Sequence, residues 1–208
     1  MTKRIVLLIM IIISLLLMAA PVGATVLYYE DFESGLGDWT GKNGNSHHGV
    51  TVSDPVNGSS NYALSFTALN SAGDIFTTNT FSSSTGNYIL SFDYLGLNTN
   101  SAGFIGFSQG LPGSHVWLAG AATYPGTLLL PDTGDWEHIE IAFSTAWDFH
   151  LMLEDFNSGA RKTGDALFDN ILLTDDQPNP VPEPATLLLL GTALTGFAWR
   201  RRQQARKH

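Results

Sequence analysis

The chain has 208 residues, enough for one domain with appended segments, and it contains no cysteine. The absence of cysteine excludes a disulfide framework, thiolate metal sites and a cysteine nucleophile. Residues 25–180 hold three basic residues (Lys42, Arg161 and Lys162) against eighteen acidic ones, a balance of −15. So acidic a segment repels phosphate backbones, which excludes direct nucleic-acid binding.

Residues 1–24 have the composition of a secretory signal peptide. A basic start precedes an uncharged apolar run, which ends before Pro21. Val22 and Ala24 are small residues at the two positions that signal peptidase reads, which predicts cleavage before Thr25. The alternative is an uncleaved anchor helix, but the helix break at the proline favours cleavage.

Residues 25–176 show short runs with period-2 alternation and no long helical period. Gly, Asn, Ser, Pro and Asp separate the runs, and Asn57-Gly58 and Ser158-Gly159 are typical turn tips. About nine or ten such strands predict an all-β domain, an antiparallel β-sandwich of the jelly-roll type, with one face of each strand in the core. The predicted strands are 26–32, 62–67, 74–81, 88–94, 103–108, 115–119, 127–130, 138–143, 149–154 and 167–173.

After this domain come a proline-rich spacer, an apolar run and a basic tail. The spacer, 177–184, has proline at every second position and ends in Pro182-Glu183-Pro184. The run 185–199 would form about 22 Å of helix, shorter than a hydrocarbon core of roughly 30 Å. Arg200, Arg201 and Arg202 would stay cytoplasmic by the positive-inside rule. Residues 185–208 are therefore predicted to be a hydrophobic sorting helix with a cytoplasmic tail, and a simple single-pass anchor is the alternative.

The Pro182-Glu183-Pro184 motif, the apolar run and the arginine cluster resemble, in this order, the PEP-CTERM sorting signal of Gram-negative bacteria. The resemblance implies transient anchoring in the inner membrane and cleavage near the motif by an exosortase. It also implies export to the cell surface or extracellular matrix of a bacterium that makes exopolysaccharide. Physically, Pro182 and Pro184 hold the motif extended above the bilayer, where a membrane protease can bind it.

Short motifs within the domain resemble jelly-roll carbohydrate-binding modules with a galactose-binding-like fold. The motifs are Asp31-Phe32-Glu33-Ser34-Gly35, Gly37-Asp38-Trp39, Tyr62-Ala63-Leu64-Ser65-Phe66, Gly134-Asp135-Trp136 and Phe168-Asp169-Asn170-Ile171-Leu172-Leu173. In such modules, carboxylates from the first and last strands hold a structural calcium ion. The resemblance assigns this role to Glu33 and Asp169, with Asp31 and main-chain carbonyls as further ligands, and calcium accepts such oxygen-rich, irregular sites. The alternative is that both acids are solvated or accept hydrogen bonds from turn amides.

Aromatic residues near loops are the candidate ligand-binding residues, because aromatic rings stack on the C–H faces of sugars. Trp117, Tyr124 and Trp147 lie near predicted loops, with Gln109 and Asp148 as polar partners. For each of the three rings, packing in the core is the alternative.

We expect no catalytic residue. The Gly-x-Ser-x-Gly, His-Glu-x-x-His and phosphate-loop motifs are absent, and Glu154 and Asp155 face opposite sides of one strand. Histidines 47, 48, 115, 138 and 150 lack the spacing of a zinc site and are expected to be solvated. The leading hypothesis is a non-catalytic exported surface protein associated with polysaccharide. The alternatives are an acidic structural or adhesive matrix protein that recognises no glycan and, third, an unrecognised glycoside hydrolase.

Overall fold

A computed structural model of the chain describes residues 24–68, 75–97, 103–120, 127–156 and 164–176. Residues Thr25–Asp176 form one compact unit. The predicted signal peptide up to residue 23, the spacer, the sorting motif and the apolar run lie outside the described residues. In the described part of the chain no helix is long and apolar enough to cross a bilayer.

The described residues form twelve strands and one short 3-10 helix, Lys42–Gly44. The strands are β1 (Val26–Glu30), β2 (Trp39–Thr40), β3 (Gly49–Asp54), β4 (Gly58–Phe66), β5 (Ile75–Thr77), β6 (Asn87–Gly96), β7 (Gly103–Ser108), β8 (His115–Gly120), β9 (Leu128–Leu129), β10 (Glu137–Ser144), β11 (His150–Asp155) and β12 (Ala166–Asp175).

Two six-stranded sheets make up the domain. The first has the order β10-β6-β12-β4-β3, and β1 also pairs with β12. The second has the order β2-β5-β11-β7-β8-β9. Its last pair, β8 with β9, is parallel, whereas the other pairs are antiparallel. The predicted all-β sandwich is therefore confirmed, with one parallel pair that the sequence did not indicate.

Aromatic rings fill the core between the sheets. Phe149, fully buried, has four ring neighbours, at centroid distances of 5.9, 5.0, 5.2 and 5.7 Å from Phe81, Tyr88, Phe107 and Phe143. These rings come from both sheets, and each tilted or edge-to-face pair adds about 0.5–1.5 kcal/mol beyond its buried area. Because the unit has its own hydrophobic core, we expect residues 25–176 to fold without the flanking segments.

Several strands differ from the prediction at their ends, and β2 and β3 were not predicted. Strand β1 ends at Glu30 rather than at residue 32, because Phe32 adopts a positive φ of 56°, which no extended strand accommodates. Strand β3 has no counterpart among the predicted strands. It is an edge strand of small, half-exposed residues, so its sequence lacks the large apolar side chains by which the other strands are recognised.

Both faces of strand β11 are buried, whereas we expected only one face of each strand to be buried. All six of its residues are buried, and His150, which we expected to be solvated, is 9% exposed. Its Nδ1 donates a hydrogen bond of 2.7 Å to the Thr77 carbonyl oxygen. The strand lies between β5 and β7, and the buried rings of Phe76 and Phe104 are its register neighbours on the outer face. A strand's own alternation does not reveal such neighbours, which is why the expectation for His150 was wrong.

Candidate functional site

A row of aromatic rings lies on the outer face of the second sheet. Trp117 and His115 on β8 stand opposite Gly106 and Ser108 on β7. These β7 positions alternate with the core residues of the same strand, so the two side chains point away from the core. The Trp117 ring centroid is 5.4 Å from that of Phe104 and 5.9 Å from that of His115. We call Phe104, Trp117 and His115 the aromatic row.

Two glycines leave the space that the rings of Trp117 and Phe104 occupy. A Cβ atom at Gly106 would collide with the Val116 carbonyl oxygen and would crowd the Trp117 ring. A Cβ atom at Gly120 would collide with the ring of Phe104. Each ring therefore lies close to a strand position that has no side chain. In the sequence, glycines inside strands indicate this arrangement, because such glycines often mark the close approach of another group.

The row becomes more exposed from Phe104 towards His115. Phe104 is buried, Trp117 is partly exposed and His115 is exposed. At the other end, Leu129 pairs with Gly120 in the parallel register, and it is 56% exposed. The accessible part of the row is therefore an apolar surface with a polar imidazole at one end, the kind of surface on which the C–H face of a sugar stacks.

The structure separates the predicted ligand-binding residues. Trp147 lies in the turn between β10 and β11, is 37% exposed, and makes an edge contact with Phe107 at 6.3 Å. Phe107 belongs to the core and Phe104 does not, so Trp147 and Trp117 approach opposite faces of β7. Gln109, in the β7–β8 turn, is exposed, as is Asp148 beside Trp147, whereas Tyr124 lies outside the described residues.

The predicted calcium ligands lie on the other sheet. The Glu33 Oε1 atom accepts a hydrogen bond of 2.8 Å from the main-chain N–H of Tyr62, which ties the loop after β1 to β4. Asp31 accepts one of 3.2 Å from the N–H of Glu33. Asp169 on β12 accepts from the main-chain N–H of Asn170 at 2.7 Å and from the side chain of Asn61 at 3.3 Å.

The pKa of Asp169 is raised to about 6, mainly by burial and to a smaller extent by the negative charges of Asp93 and Glu33. The hydrogen bonds from Asn170 and Asn61 act in the opposite direction. Such an electron-rich pocket favours either a bound proton or a bound cation. The charge of Glu33 thus acts on Asp169.

The described residues contain no group of three or more His, Asp and Glu side chains that could hold a metal ion. Two carboxylates would need further oxygen ligands from Asp31, main-chain carbonyls or water, as calcium sites commonly have. Both carboxylates also accept hydrogen bonds from N–H groups, which was the alternative interpretation. Calcium at Glu33 and Asp169 stays a prediction.

A hydrogen-bonded network continues from Asp169 across the first sheet. Asp93 on β6 is the register partner of both Asp169 on β12 and His138 on β10. It accepts hydrogen bonds from the side chain of Asn170 at 2.8 Å and contacts His138 Nδ1 at 2.6 Å. Asn170 stands at a bulge of β12 with φ 49° and also accepts from the Tyr29 hydroxyl at 3.2 Å. His138 is exposed, as we expected.

The sequence did not single out Asp54, although this carboxylate accepts five hydrogen bonds. It is 2% exposed and accepts from the main-chain N–H groups of Val56 and Asn57, and from the side chains of Asn57, Asn61 and Trp136. Although burial opposes ionisation, these donors hold the pKa of Asp54 well below its ordinary value. The signal was present in the turn sequence Asp54-Pro55-Val56-Asn57-Gly58, since Asp before a turn commonly accepts from the amides that follow.

Comparison with known proteins identifies the C-terminal signal and gives structural relatives of the domain. Residues 180–202 match the family model described as the PEP-CTERM protein-sorting motif, so the predicted sorting signal is confirmed. No curated protein matches the chain.

Three solved structures illustrate the similarity of the fold. The CBM22-1 xylan-binding domain of Paenibacillus barcinonensis Xyn10C is 14% identical, with a TM-score of 0.49 over 75% of this chain and 97% of that chain. The K1 cleaved adhesin domain of Lys-gingipain from Porphyromonas gingivalis W83 is 14% identical, with a TM-score of 0.49 over 74% and 99%. The CBM6cm-2 module of Cellvibrio mixtus lichenase 5A is 16% identical, with a TM-score of 0.39 over 74% and 100%. Two of these three structures are carbohydrate-binding modules.

Proposed function

We propose that this protein is a non-catalytic, exported domain that binds extracellular polysaccharide through the aromatic row on its second sheet. Export itself follows from the PEP-CTERM motif at residues 180–202, which directs a protein through membrane-anchored processing by an exosortase.

The observation that carries the proposal is the outward position of Trp117. A tryptophan is usually buried because of its large apolar surface. This one lies on the outer face of its sheet, over a glycine, next to the buried ring of Phe104. The sheet holds the ring rigidly, so stacking on a sugar costs little conformational entropy. The hydroxyl groups at the sugar's edge would meet polar groups such as the imidazole of His115, whose ring centroid is 5.9 Å from that of Trp117.

The test is affinity electrophoresis of the 25–176 domain through gels that contain single polysaccharides. We expect at least one polysaccharide to retard the wild-type domain. Trp117→Ala is expected to weaken that retention by about tenfold, which corresponds to roughly 1.4 kcal/mol of lost stacking. Trp147→Ala is the matched control, because it removes the same side chain from the opposite face of β7, and we expect it to leave retention unchanged.

The melting temperature of each variant shows whether it is folded. Retention that survives Trp117→Ala, or that is lost equally in both variants, contradicts the assignment of the aromatic row. No release of reducing sugar is expected from any polysaccharide that binds, whereas such release would favour the glycoside hydrolase hypothesis.

One observation favours a second candidate function. The balance of −15 between residues 25 and 180 suits a structural or adhesive matrix protein that acts through its charge and recognises no glycan. For such a protein no polysaccharide would retard the wild-type domain more than a size-matched inert protein, and association with the cell surface would be lost at high salt.

A further inference from the structure

The charges of the domain limit the kind of polysaccharide that the aromatic row can accept. The described residues contain one lysine, Lys42, and no arginine. Arg161 and Lys162 lie outside the described residues, and even when they are counted the balance over residues 25–180 is −15. On the face of the sheet that carries the row, the register neighbour of Phe104 on β11 is Glu154, a buried carboxylate that is 4% exposed.

Recognition of an anionic polymer requires positive side chains. Arginine and lysine bind carboxylate or sulfate groups through charge-assisted hydrogen bonds, and arginine does so with two parallel bonds. A strongly negative domain also lowers the local concentration of a polyanion and slows its association. Stacking of a sugar's C–H face on Trp117 needs no charge and is unaffected by this field.

Building on the proposed function, we propose that the aromatic row binds uncharged polysaccharide and rejects polymers whose sugars carry carboxylate or sulfate groups. The net negative charge of the domain then determines which class of polysaccharide is bound. It weakens the association of the domain with polyanions and leaves the aromatic row available for uncharged polymers.

The experiment uses one polymer backbone with graded charge. A neutral polysaccharide that retards the wild-type 25–176 domain is carboxymethylated to increasing degrees. The same polysaccharide is hydroxyethylated to matching degrees, which adds groups of similar size without charge. Affinity electrophoresis is run at pH 8, well above the ordinary titration range of carboxyl groups, so that the carboxymethyl groups are fully charged. The runs are repeated at 0.05 M and 1 M NaCl.

We expect carboxymethylation to weaken retention by about tenfold at low salt, while hydroxyethylation leaves it within twofold. We also expect 1 M NaCl to restore most of the retention by the carboxymethylated polymer, because the screening length falls to about 3 Å. Carboxymethylated polymer that retards the domain as strongly as its hydroxyethylated counterpart, with the same dependence on Trp117, overturns the charge inference and leaves the proposed function standing. If no neutral polymer retards the wild-type domain, the proposed function falls and this inference falls with it.

Discussion

Asp169 is a carboxylate whose ionisation works against folding. The pKa of Asp169 is raised to about 6, mainly by burial and further by the charges of Asp93 and Glu33. An unfolded aspartate has a pKa near 3.9, so the folded state binds the proton more tightly. The contribution of Asp169 to stability is therefore greatest below about pH 4, and it falls as the pH rises towards 6.

Asp169→Asn removes this penalty. In the 25–176 domain treated with a chelator, we expect the variant to melt a few degrees higher than wild type at pH 7.5, for a gain of about 1 kcal/mol. At pH 4 the two proteins should melt within about a degree of each other. Thermal melts at both pH values measure the effect. A variant that is less stable than wild type at pH 7.5 would contradict the electrostatic interpretation.

With calcium present, we expect the wild-type domain to be more stable than Asp169→Asn. A cation that binds only the folded state stabilises it by about 2.7 kcal/mol at a hundredfold excess over Kd. We therefore expect calcium to raise the melting temperature of the wild-type domain, and Asp169→Asn and Glu33→Gln each to abolish the increase. Melting curves of the wild-type domain that coincide with and without a chelator would leave Glu33 and Asp169 as acceptors of amide hydrogen bonds only.

Asp54 has the opposite role, because its charge is required by the groups around it. Asp54→Asn replaces an acceptor oxygen by an N–H donor, which leaves at least one of the Asn57, Asn61 and Trp136 donors without its acceptor. We expect a loss of about 2–3 kcal/mol in the free energy of unfolding. Trp136→Phe, which removes one donor and keeps most of the ring, should lose less. Urea denaturation measures both losses, and equal stability of Asp54→Asn and wild type would contradict the role of Asp54.

At the scale of elements, the β7–β8 pair holds the aromatic row. A Cβ atom at Gly106 would collide with the neighbouring strand at Val116 and Trp117, whereas one at Gly110, in the turn of the same hairpin, has ordinary contacts of 3.5 Å or more. We expect Gly106→Ala to destabilise the domain by about 1–3 kcal/mol and to weaken polysaccharide retention. Gly110→Ala is the matched control and should change neither. Unchanged retention by Gly106→Ala would show that the ring position does not depend on this gap.

The sequence predicts where strands occur better than it predicts which residues of other strands cover their outer faces. Period-2 alternation predicts β6 and β10 because each of these strands has a clear apolar face towards the core. It fails for β11, whose outer face is covered by residues of other strands, and for β3, which has few large side chains. The candidate site is likewise only partly predictable, because its residues can be chosen from the sequence but their contacts with other strands cannot. Trp117 stands out as an aromatic residue near a loop, but its contact with Phe104 depends on the register of β7 and β8, which the alternation within one strand does not reveal.

At the scale of the whole molecule, the sorting signal determines where the domain acts. We expect replacement of Pro182, Glu183 and Pro184 by alanines to leave the protein in the membrane with its C-terminal segment uncleaved. The reason is that the motif alone keeps the junction extended, while the apolar run 185–199 would still insert. Pro178→Ala, outside the motif, is the control and should be processed normally. Membrane fractionation with immunoblotting distinguishes the forms, and normal processing of the triple variant would contradict the role of the motif.

Stacking on the exposed end of the aromatic row is tested most directly by the nuclear magnetic resonance signals of the tryptophan indole N–H groups. The 25–176 domain has four tryptophans, Trp39, Trp117, Trp136 and Trp147. When an oligosaccharide of the retained neutral polysaccharide is titrated into the domain, we expect the Trp117 signal to shift in proportion to saturation and the signals of the other three to stay in place. A titration that shifts the Trp147 signal and leaves that of Trp117 unchanged would contradict binding at the aromatic row.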